Sequence, residues 1–380
     1  MYDYIDTQEQ LEQFVDAISS YDWIAIDTEF IREKTYYSRL CLLQIATTDH
    51  LACVDPLAIK DISALKKVLY NPNITKVWHA AHQDQEIFYN IFGEPPAPIF
   101  DTQPAAAVLG IGDQIGYARL IEEFMDVSLE KTQSRTDWSR RPLSEKQLDY
   151  AIDDVRYLRE AYPKIVKQLE DQSRLEWLQS DFDRYTSIET FEPKPAEMWK
   201  KVKGHQRLKP LQLTIVQGLA SWREGLAEKK DLPRKWIMSD DVILDLALQQ
   251  PTNADEMDQM RTVKSKQHSR YFKDWLACIN TAQQLDESEW LRLPKFKKPS
   301  SNQAILVDLL MVAIREQASI HNISATLITS RKKLEQLVMS GETQLANDWR
   351  GALVNPIINN ILNGQATFSV ENGNKVRIGS

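Results

Sequence analysis

Apolar positions in the first half of the chain form short runs that alternate with stretches of helical spacing. Runs of apolar and β-branched residues bounded by polar turns predict strands, and four of them occur at Trp23–Asp27, Ser38–Ala46, Leu51–Val54 and Lys76–Ala80. Apolar residues that recur every three to four positions predict helices, and these cover Ala64–Tyr70, Gln83–Ile91, Ala105–Leu109, Ala118–Phe124 and Ser144–Leu169. Three early strands followed by strand–helix alternation predict an α/β domain over residues 1–190, with a mixed sheet flanked by helices.

The helix predicted at Ser144–Leu169 begins with a helix-start signal and contains a proline. Ser144 and Gln147 have capping-box spacing, in which two side chains satisfy free backbone N–H groups of the first turn. Pro163 lacks an N–H and clashes with the preceding turn, so it predicts a kink or a break in the helix.

The periodicity changes beyond residue 190. Two prolines and several lysines interrupt it at Phe191–Gly204, which predicts a linker over residues 191–208. Apolar residues at helical spacing follow it, and the rest of the chain is predicted to be wholly helical.

A weak internal repeat divides this helical half. Trp222-Arg223-Glu224 is echoed by Ile314-Arg315-Glu316, and Trp236-Ile237-Met238-Ser239 is echoed by Leu327-Ile328-Thr329-Ser330. The repeat predicts two related helical domains, at residues 209–290 and 291–380, rather than a solenoid of three or more repeats.

Composition narrows the class of protein. Hydrophobic residues make up 43% and charged residues 26%, as is typical of globular domains. No run approaches the roughly 18 apolar residues that span a bilayer, and the start of the chain has no signal-peptide pattern. We therefore expect a cytoplasmic protein without a membrane partner. Cys41, Cys53 and Cys278 fit neither a zinc site nor a disulfide framework, and we expect them to be small side chains in apolar surroundings.

Charge is distributed unevenly between the two halves. Residues 1–200 carry 21 Lys and Arg against 35 Asp and Glu, a balance of −14, whereas residues 201–380 carry 25 against 19, a balance of +6. The asymmetry suggests carboxylates that hold cations in the first half and attraction of phosphates in the second. A solvated surface with no such division of labour is the alternative.

The strand at residues 23–27 runs into the first candidate site. Residues two apart on a strand share a face, so Asp27 and Glu29 point the same way. Two adjacent carboxylates repel each other unless a cation lies between them, and their oxygens suit Mg²⁺ or Mn²⁺. Taken alone, the pair is equally consistent with two surface acids at a strand end.

Two further segments carry candidate ligands. Asp84 follows an apolar strand and falls in the first turn of a predicted helix, where it could instead only complement the helix dipole. Tyr150 and Asp154 are four residues apart and share one helix face, whereas Asp153 lies off that face. Each segment alone is compatible with an ordinary surface acid.

Taken together, these motifs resemble a known family. Asp27-x-Glu29, Asp84 and Tyr150-x-x-x-Asp154 resemble, in order, the motifs of the DEDD exonuclease superfamily in the subclass that uses tyrosine. Four further segments resemble ribonuclease D: His79-Ala80, Phe100-Asp101-Thr102-Gln103, Arg135-Thr136-Asp137-Trp138 and Arg141-Pro142-Leu143. In the second half, three segments resemble the helicase-and-RNase-D C-terminal (HRDC) module: Trp222-Arg223, Asp231-Leu232-Pro233 and Trp236-Ile237. The resemblance covers nearly the whole chain and weakens in the second helical domain.

The resemblance implies an RNase H-like exonuclease domain followed by all-α HRDC-type domains. It implies a 3′→5′ exoribonuclease that releases 5′-mononucleotides, and two divalent ions, Mg²⁺ or Mn²⁺, held by Asp27, Glu29, Asp84 and Asp154. Tyr150 would orient the attacking water, because an unperturbed tyrosine, with a pKa near 10, is a poor base at neutral pH.

Substrate contacts are less specific in the sequence. Lys131, Arg135 and Trp138 lie in a basic, aromatic segment suited to phosphates and an unstacked base, although Trp138 could instead be a packed anchor. Gln44, polar within an apolar strand, could face the substrate or be a buried, hydrogen-bonded amide.

The expected partner is RNA, chiefly tRNA precursors with 3′ extensions, bound by a monomer. Basic clusters at Lys201–Lys209, Arg261–Arg270 and Lys295–Lys298 are expected to contact phosphates, unless the helical domains only shield the nuclease. A DNA-directed exonuclease and an RNA-binding protein that has lost catalysis are the alternatives, and retention of every motif residue argues against the latter.

Overall fold

A computed structural model describes residues 2–129, 136–293, 298–373 and 375–379. The strands are β1 Asp3–Ile5, β2 Trp23–Ile31, β3 Arg39–Ala46, β4 Leu51–Val54, β5 Thr75–Trp78, β6 Ile99–Asp101, β7 Thr367–Glu371 and β8 Lys375–Gly379. The helices up to residue 191 are α1 Gln8–Ile18, α2 Lys66–Leu69, α3 His82–Phe92, α4 Thr102–Val108, α5 Tyr117–Met125, α6 Glu145–Asp171, α7 Gln179–Thr186 and α8 Ile188–Phe191.

The remaining helices follow residue 209. They are α9 Pro210–Lys230, α10 Arg234–Ile237, α11 Asp240–Gln249, α12 Ala254–Asp258, α13 Ser265–His268, α14 Phe272–Gln284, α15 Ser301–Ile320, α16 Ala325–Ile328, α17 Arg331–Ser340 and α18 Trp349–Leu362. None of the described helices is long and apolar enough to cross a membrane.

The chain divides into two compact units. The first comprises Met1–Ile31, Leu40–Phe191 and Lys297–Ser380, and the second comprises Arg32–Arg39 and Glu192–Phe296. Each unit has its own apolar core.

A mixed six-stranded sheet forms the centre of the first unit, as the sequence predicted. Its strand order is β1-β4-β3-β2-β5-β6. β2 and β5 are parallel, with Ala25 opposite Val77, and β5 and β6 are parallel, with Val77 opposite Phe100. β3 and β4 are antiparallel. The carboxyl ends of β2, β5 and β6 therefore lie at one edge of the sheet.

Helix α6 begins as predicted but is not broken by proline. Ser144 accepts a hydrogen bond from the Gln147 backbone, and the Gln147 side chain completes the capping box. Pro163 lies inside one uninterrupted helix, so the predicted division is wrong. Buried Leu158 and Ile165 lie on either side of it. Burial of these side chains offsets the roughly 3 kcal/mol that an internal proline costs.

The C-terminal helices share the core of the sheet. Val307, Leu334 and Val354 belong to the same apolar cluster as β2 and β3. Trp177 stacks on Trp349, with ring centroids 4.4 Å apart and planes 6° from parallel. The described C-terminal helices α15 to α18 are thereby held against the nuclease part of the first unit.

A β-hairpin ends the chain, where the sequence analysis predicted only helix. β7 and β8 pair antiparallel, with Val370 opposite Val376. Asn372 and Gly373 lie between them at φ 52° and 72°, a left-handed conformation that glycine and asparagine adopt more readily than other residues. The Asn-Gly pair is a turn signal, and the prediction of helix to the end of the chain is wrong here.

The second unit is a helical bundle with a short additional segment. Its core includes Leu219 on α9, Ile243 on α11 and Trp275 on α14. Trp199 and Val202, from the predicted linker at 191–208, are buried in the same core, because residues 195–201 form a 3₁₀ helix that packs on α9. The segment is therefore part of the bundle's interior rather than a free connection.

Candidate active site

Strand β2 and helix α6 supply the centre of the candidate site. Ile24 and Ile26 on β2 are buried in the core, which fixes the strand so that Asp27 and Glu29 share the opposite face. On α6, buried Ala151 anchors the helix beside Asp154. One carboxylate oxygen each from Asp27, Glu29 and Asp154 lies within 4.8 Å of the other two.

Asp84 is the fourth predicted ligand, and it is not part of the group formed by Asp27, Glu29 and Asp154. It is buried in the first turn of α3, and its carboxylate accepts a hydrogen bond from the hydroxyl of Thr28, the residue between Asp27 and Glu29. The structure therefore places Asp84 beside the three clustered carboxylates, held to their strand through Thr28. Sequence analysis did not identify Thr28.

The site carboxyls are difficult to ionise in the absence of a cation. Burial, together with the charges of Asp154 and Asp84, raises the pKa of Glu29 to about 9. Burial raises the pKa values of Asp84 and Asp154 to about 7. Burial, then Asp154, Asp84 and Glu29, raises the pKa of Asp27 well above its usual range.

The repulsion among these carboxylates is consistent with a site that binds a divalent cation. Four carboxylates share a confined site, and mutual repulsion contributes to the raised pKa values of Asp27 and Glu29. Hard oxygen ligands at this density match the preferences of Mg²⁺ and Mn²⁺. A cation there would compensate the repulsion and allow all four groups to ionise.

Tyr150 lies at the same site. Burial, then the charges of Asp154, Glu29 and Asp27, raises its pKa far above the ordinary value. Its hydroxyl thus stays protonated at neutral pH and can donate or accept a hydrogen bond, but cannot serve as a base. Asp153, one residue from Asp154, pairs with Arg156 instead of joining the cluster.

Trp138 is a packed anchor rather than an exposed stacking surface. Only 2% of the residue is exposed, and its ring lies 6.2 Å from that of Tyr150. An indole buried to this degree presents no free face to an unstacked base, so the predicted substrate-stacking role is wrong for this conformation. Lys131 and Arg135, the other predicted contacts in this segment, lie outside the described residues.

Arg141 anchors the segment that contains Trp138. It donates from Nε and Nη2 to the two carboxylate oxygens of Asp55, at 2.5 and 2.7 Å, and from Nη1 to the Trp138 carbonyl at 2.8 Å. Tyr4 donates to the same carboxylate at 2.6 Å. The sequence indicates Arg141 only through the family resemblance, and no sequence pattern predicts Asp55 as its partner.

Gln44 is also inaccessible to substrate. Its side chain is fully buried on β3, and within the described part of the chain neither of its polar atoms has a hydrogen-bond partner. Burial contradicts a direct substrate contact and agrees with the alternative of a buried amide. Its pairing opposite Cys53 shows that it lies in the sheet interior.

A half-buried histidine and a half-buried tyrosine connect the elements that carry the ligands. The His79 Nε2–H donates to the Ile115 carbonyl at 3.1 Å, so Nδ1 accepts from the Thr102 hydroxyl at 2.9 Å in the neutral ring. Burial lowers the pKa of His79 to about 4, which keeps that ring neutral. The His79 ring lies against Tyr117, whose hydroxyl donates to the Asp153 carbonyl at 2.9 Å. Sequence analysis missed Tyr117, because no local pattern connects it to α6.

Two family comparisons match separate parts of the chain. Residues 2–170 match the 3′-5′ exonuclease family, and residues 212–279 match the HRDC domain. The exonuclease match spans every residue of the carboxylate cluster, and the HRDC match runs from within α9 to within α14 of the second unit.

Full-length relatives agree with this division. The chain is 33% identical to ribonuclease D of Bartonella henselae, with 96% of this chain and 90% of that protein covered. It is 34% identical to ribonuclease D of Nitrobacter hamburgensis, with 99% of each covered. The crystal structure of Escherichia coli RNase D, described as an exoribonuclease involved in structured RNA processing, superposes with a TM-score of 0.84 at 32% identity, covering 96% of this chain and 99% of that one. This chain belongs to the ribonuclease D family of 3′→5′ exoribonucleases.

Proposed function

We propose that this exoribonuclease removes nucleotides from RNA 3′ ends as 5′-mononucleotides, using two divalent cations, Mg²⁺ or Mn²⁺. The observation that carries the proposal is the cluster of Asp27, Glu29 and Asp154 oxygens within 4.8 Å of one another. Asp84, bonded to Thr28 on the same strand, completes the ligand set. Four carboxylates provide the charge that two divalent ions require.

The protein's own groups have distinct tasks in this chemistry. When bound, the cations would lower the pKa of the attacking water and offset charge on the departing 3′ oxygen. Tyr150 hydrogen-bonds and orients that water as a neutral phenol, since its raised pKa excludes it as the base. The buried Trp138 ring lies beside the Tyr150 ring, with the two centroids 6.2 Å apart.

We propose tRNA precursors with 3′ extensions as the main substrates. The helical bundle of the second unit carries the HRDC match, and exposed basic side chains lie beside it at Lys201, Lys203 and Arg207. Such groups attract RNA phosphates independently of sequence and would hold the body of a folded RNA while its end is trimmed. The predicted cluster at Lys295–Lys298 lies largely outside the described residues.

One experiment tests both the reaction and the substrate. Purified protein is incubated with 3′-extended tRNA and with DNA of the same sequence, each with Mg²⁺, Mn²⁺ or chelator, and the products are resolved by length. We expect stepwise shortening of the RNA that requires a metal and is faster than that of the DNA. Cleavage that persists in chelator would refute the metal-ion chemistry, and equal rates on DNA would refute the substrate assignment.

A further inference from the structure

The turn that precedes Asp84 has an unusual backbone. Strand β5 ends at Trp78, α3 begins at His82, and Ala80 between them has φ 61°. A residue with a Cβ atom is strained at this left-handed φ, and glycine avoids the strain. Some other group must hold the turn in this conformation.

Asp101 is the group that holds it. This residue lies on β6 opposite Trp78, only 1% exposed, and it also caps the start of α4. Its Oδ1 accepts from the Ala80 N–H and the Gln103 N–H, and its Oδ2 accepts from the Ala81 N–H, each at 2.9 Å. One carboxylate therefore satisfies two N–H groups of the turn and one of the neighbouring helix.

We propose that Asp101 is a positioning residue for the metal site, acting through this turn on Asp84. Ala81 is the N-cap of α3, and Asp84 is three residues further along. A helix rises 1.5 Å per residue, so Asp84 lies within about 5 Å of the turn, and a shift of the turn is transmitted through one rigid helical turn. Both carboxylate oxygens of Asp101 accept hydrogen bonds from backbone N–H groups, and Asp101 is not in the group formed by Asp27, Glu29 and Asp154.

The substitution Asp101→Asn separates this role from the capping of α4. An asparagine with its carbonyl at the Oδ1 position keeps the bonds from Ala80 and Gln103. Its NH₂ group then faces the Ala81 N–H. Both groups are hydrogen-bond donors, so the hydrogen bond from Ala81 is lost. The reversed orientation would lose two bonds rather than one, which makes it the less stable rotamer. The change therefore disrupts the start of α3 while sparing α4.

The inference rests on the proposed metal site, so wild-type protein is measured first. Mn²⁺ binding is followed by electron paramagnetic resonance of the full-length protein, and kcat and KM are measured on 3′-extended tRNA. Loss of a group that supports a metal ligand weakens metal binding by about ten- to a hundredfold. We expect Asp101→Asn to weaken Mn²⁺ binding by at least about tenfold and to lower kcat, with KM for RNA changed less than about twofold.

Two further variants distinguish positioning from general stability. Thr7→Ala removes the N-cap of α1, which carries none of the site residues, and should destabilise the fold without altering Mn²⁺ binding. Ala80→Gly relieves the strained turn, so Asp101→Asn should weaken Mn²⁺ binding less in the Ala80→Gly background than in wild type. The Ala80→Gly background also provides a comparison if Asp101→Asn alone does not fold.

The outcomes separate this inference from the function on which it rests. Wild-type protein that binds no Mn²⁺ would refute the proposed metal site itself. Wild-type binding with unchanged affinity and kcat in Asp101→Asn would refute only the positioning role. An equal effect of Asp101→Asn in both backgrounds would likewise refute it, because the turn would then not transmit the change.

Discussion

The raised pKa of Glu29 makes the stability of the metal-free protein depend on pH. In the unfolded chain, Glu29 releases its proton near its ordinary pKa of 4.5, whereas the folded protein retains it up to about 9. Between these values the native state binds one proton more than the unfolded state. The free energy of unfolding therefore falls as pH rises, by about 1.4 kcal/mol per pH unit for one such group.

Glu29→Gln removes this contribution without changing the size of the side chain. From pH 7 to pH 8.5 the wild-type protein should lose about 2 kcal/mol of unfolding free energy relative to the variant, an upper value because Glu29 is only partly buried. Other groups titrate in both proteins, so their contributions largely cancel in the difference. The measurement is urea unfolding in chelator, followed by circular dichroism at several pH values.

Two controls sharpen the test. Glu123→Gln, on the exposed face of α5, should leave the pH dependence unchanged. Saturating Mg²⁺ should flatten the wild-type curve and raise stability, by about 3 kcal/mol at a concentration one hundred times Kd, because bound cations allow the carboxylates to ionise. Glu29→Gln should lose most of that gain. Parallel pH curves for wild type and Glu29→Gln in chelator would show that Glu29 does not carry the repulsion.

Other expectations concern the catalytic groups and the fold. Asp27→Asn and Asp154→Asn should each abolish cleavage with the fold intact by circular dichroism, and full activity in either would refute the metal-site assignment. Tyr150→Phe should slow the single-turnover rate about a hundredfold while leaving Mn²⁺ affinity within severalfold, and an unchanged rate would remove the tyrosine from the mechanism. Trp349→Ala removes the stacking partner of Trp177 and should lower the unfolding free energy by about 3 kcal/mol, measured in urea; a change below about 1 kcal/mol would show that the C-terminal helices are not held there.

The local spacing of residues along the chain was sufficient to predict the strand and the helix that carry most of the site residues. Alternation along β2 gave Asp27 and Glu29 a common direction, and four-residue spacing gave Tyr150 and Asp154 a common face. The Ser144 capping box, the mixed sheet and the helical bundle were also predictable, because neighbouring residues determine strand alternation and helix starts. Family resemblance then connected segments that periodicity alone could not join.

Burial and hydrogen bonding between distant segments were not predictable in this way. The roles of Trp138 and Gln44 depend on which other residues cover their side chains. Both side chains are buried and inaccessible to substrate. Pro163 stayed within a helix because packing outweighed its local preference. Sequence patterns describe the residue itself, whereas these outcomes depend on neighbours from other parts of the fold.

The sequence by itself determined which residues could bind metal and which way each points within its own strand or helix. Only the tertiary structure decided that β2, α3 and α6 meet at one sheet edge, that Thr28 holds Asp84, and that Asp101 supports the turn before it. The physical reason is the separation along the chain over which each effect acts. Side-chain direction follows from backbone periodicity over a few residues, but raised pKa values and shared hydrogen bonds arise only when segments far apart in the chain exclude water together.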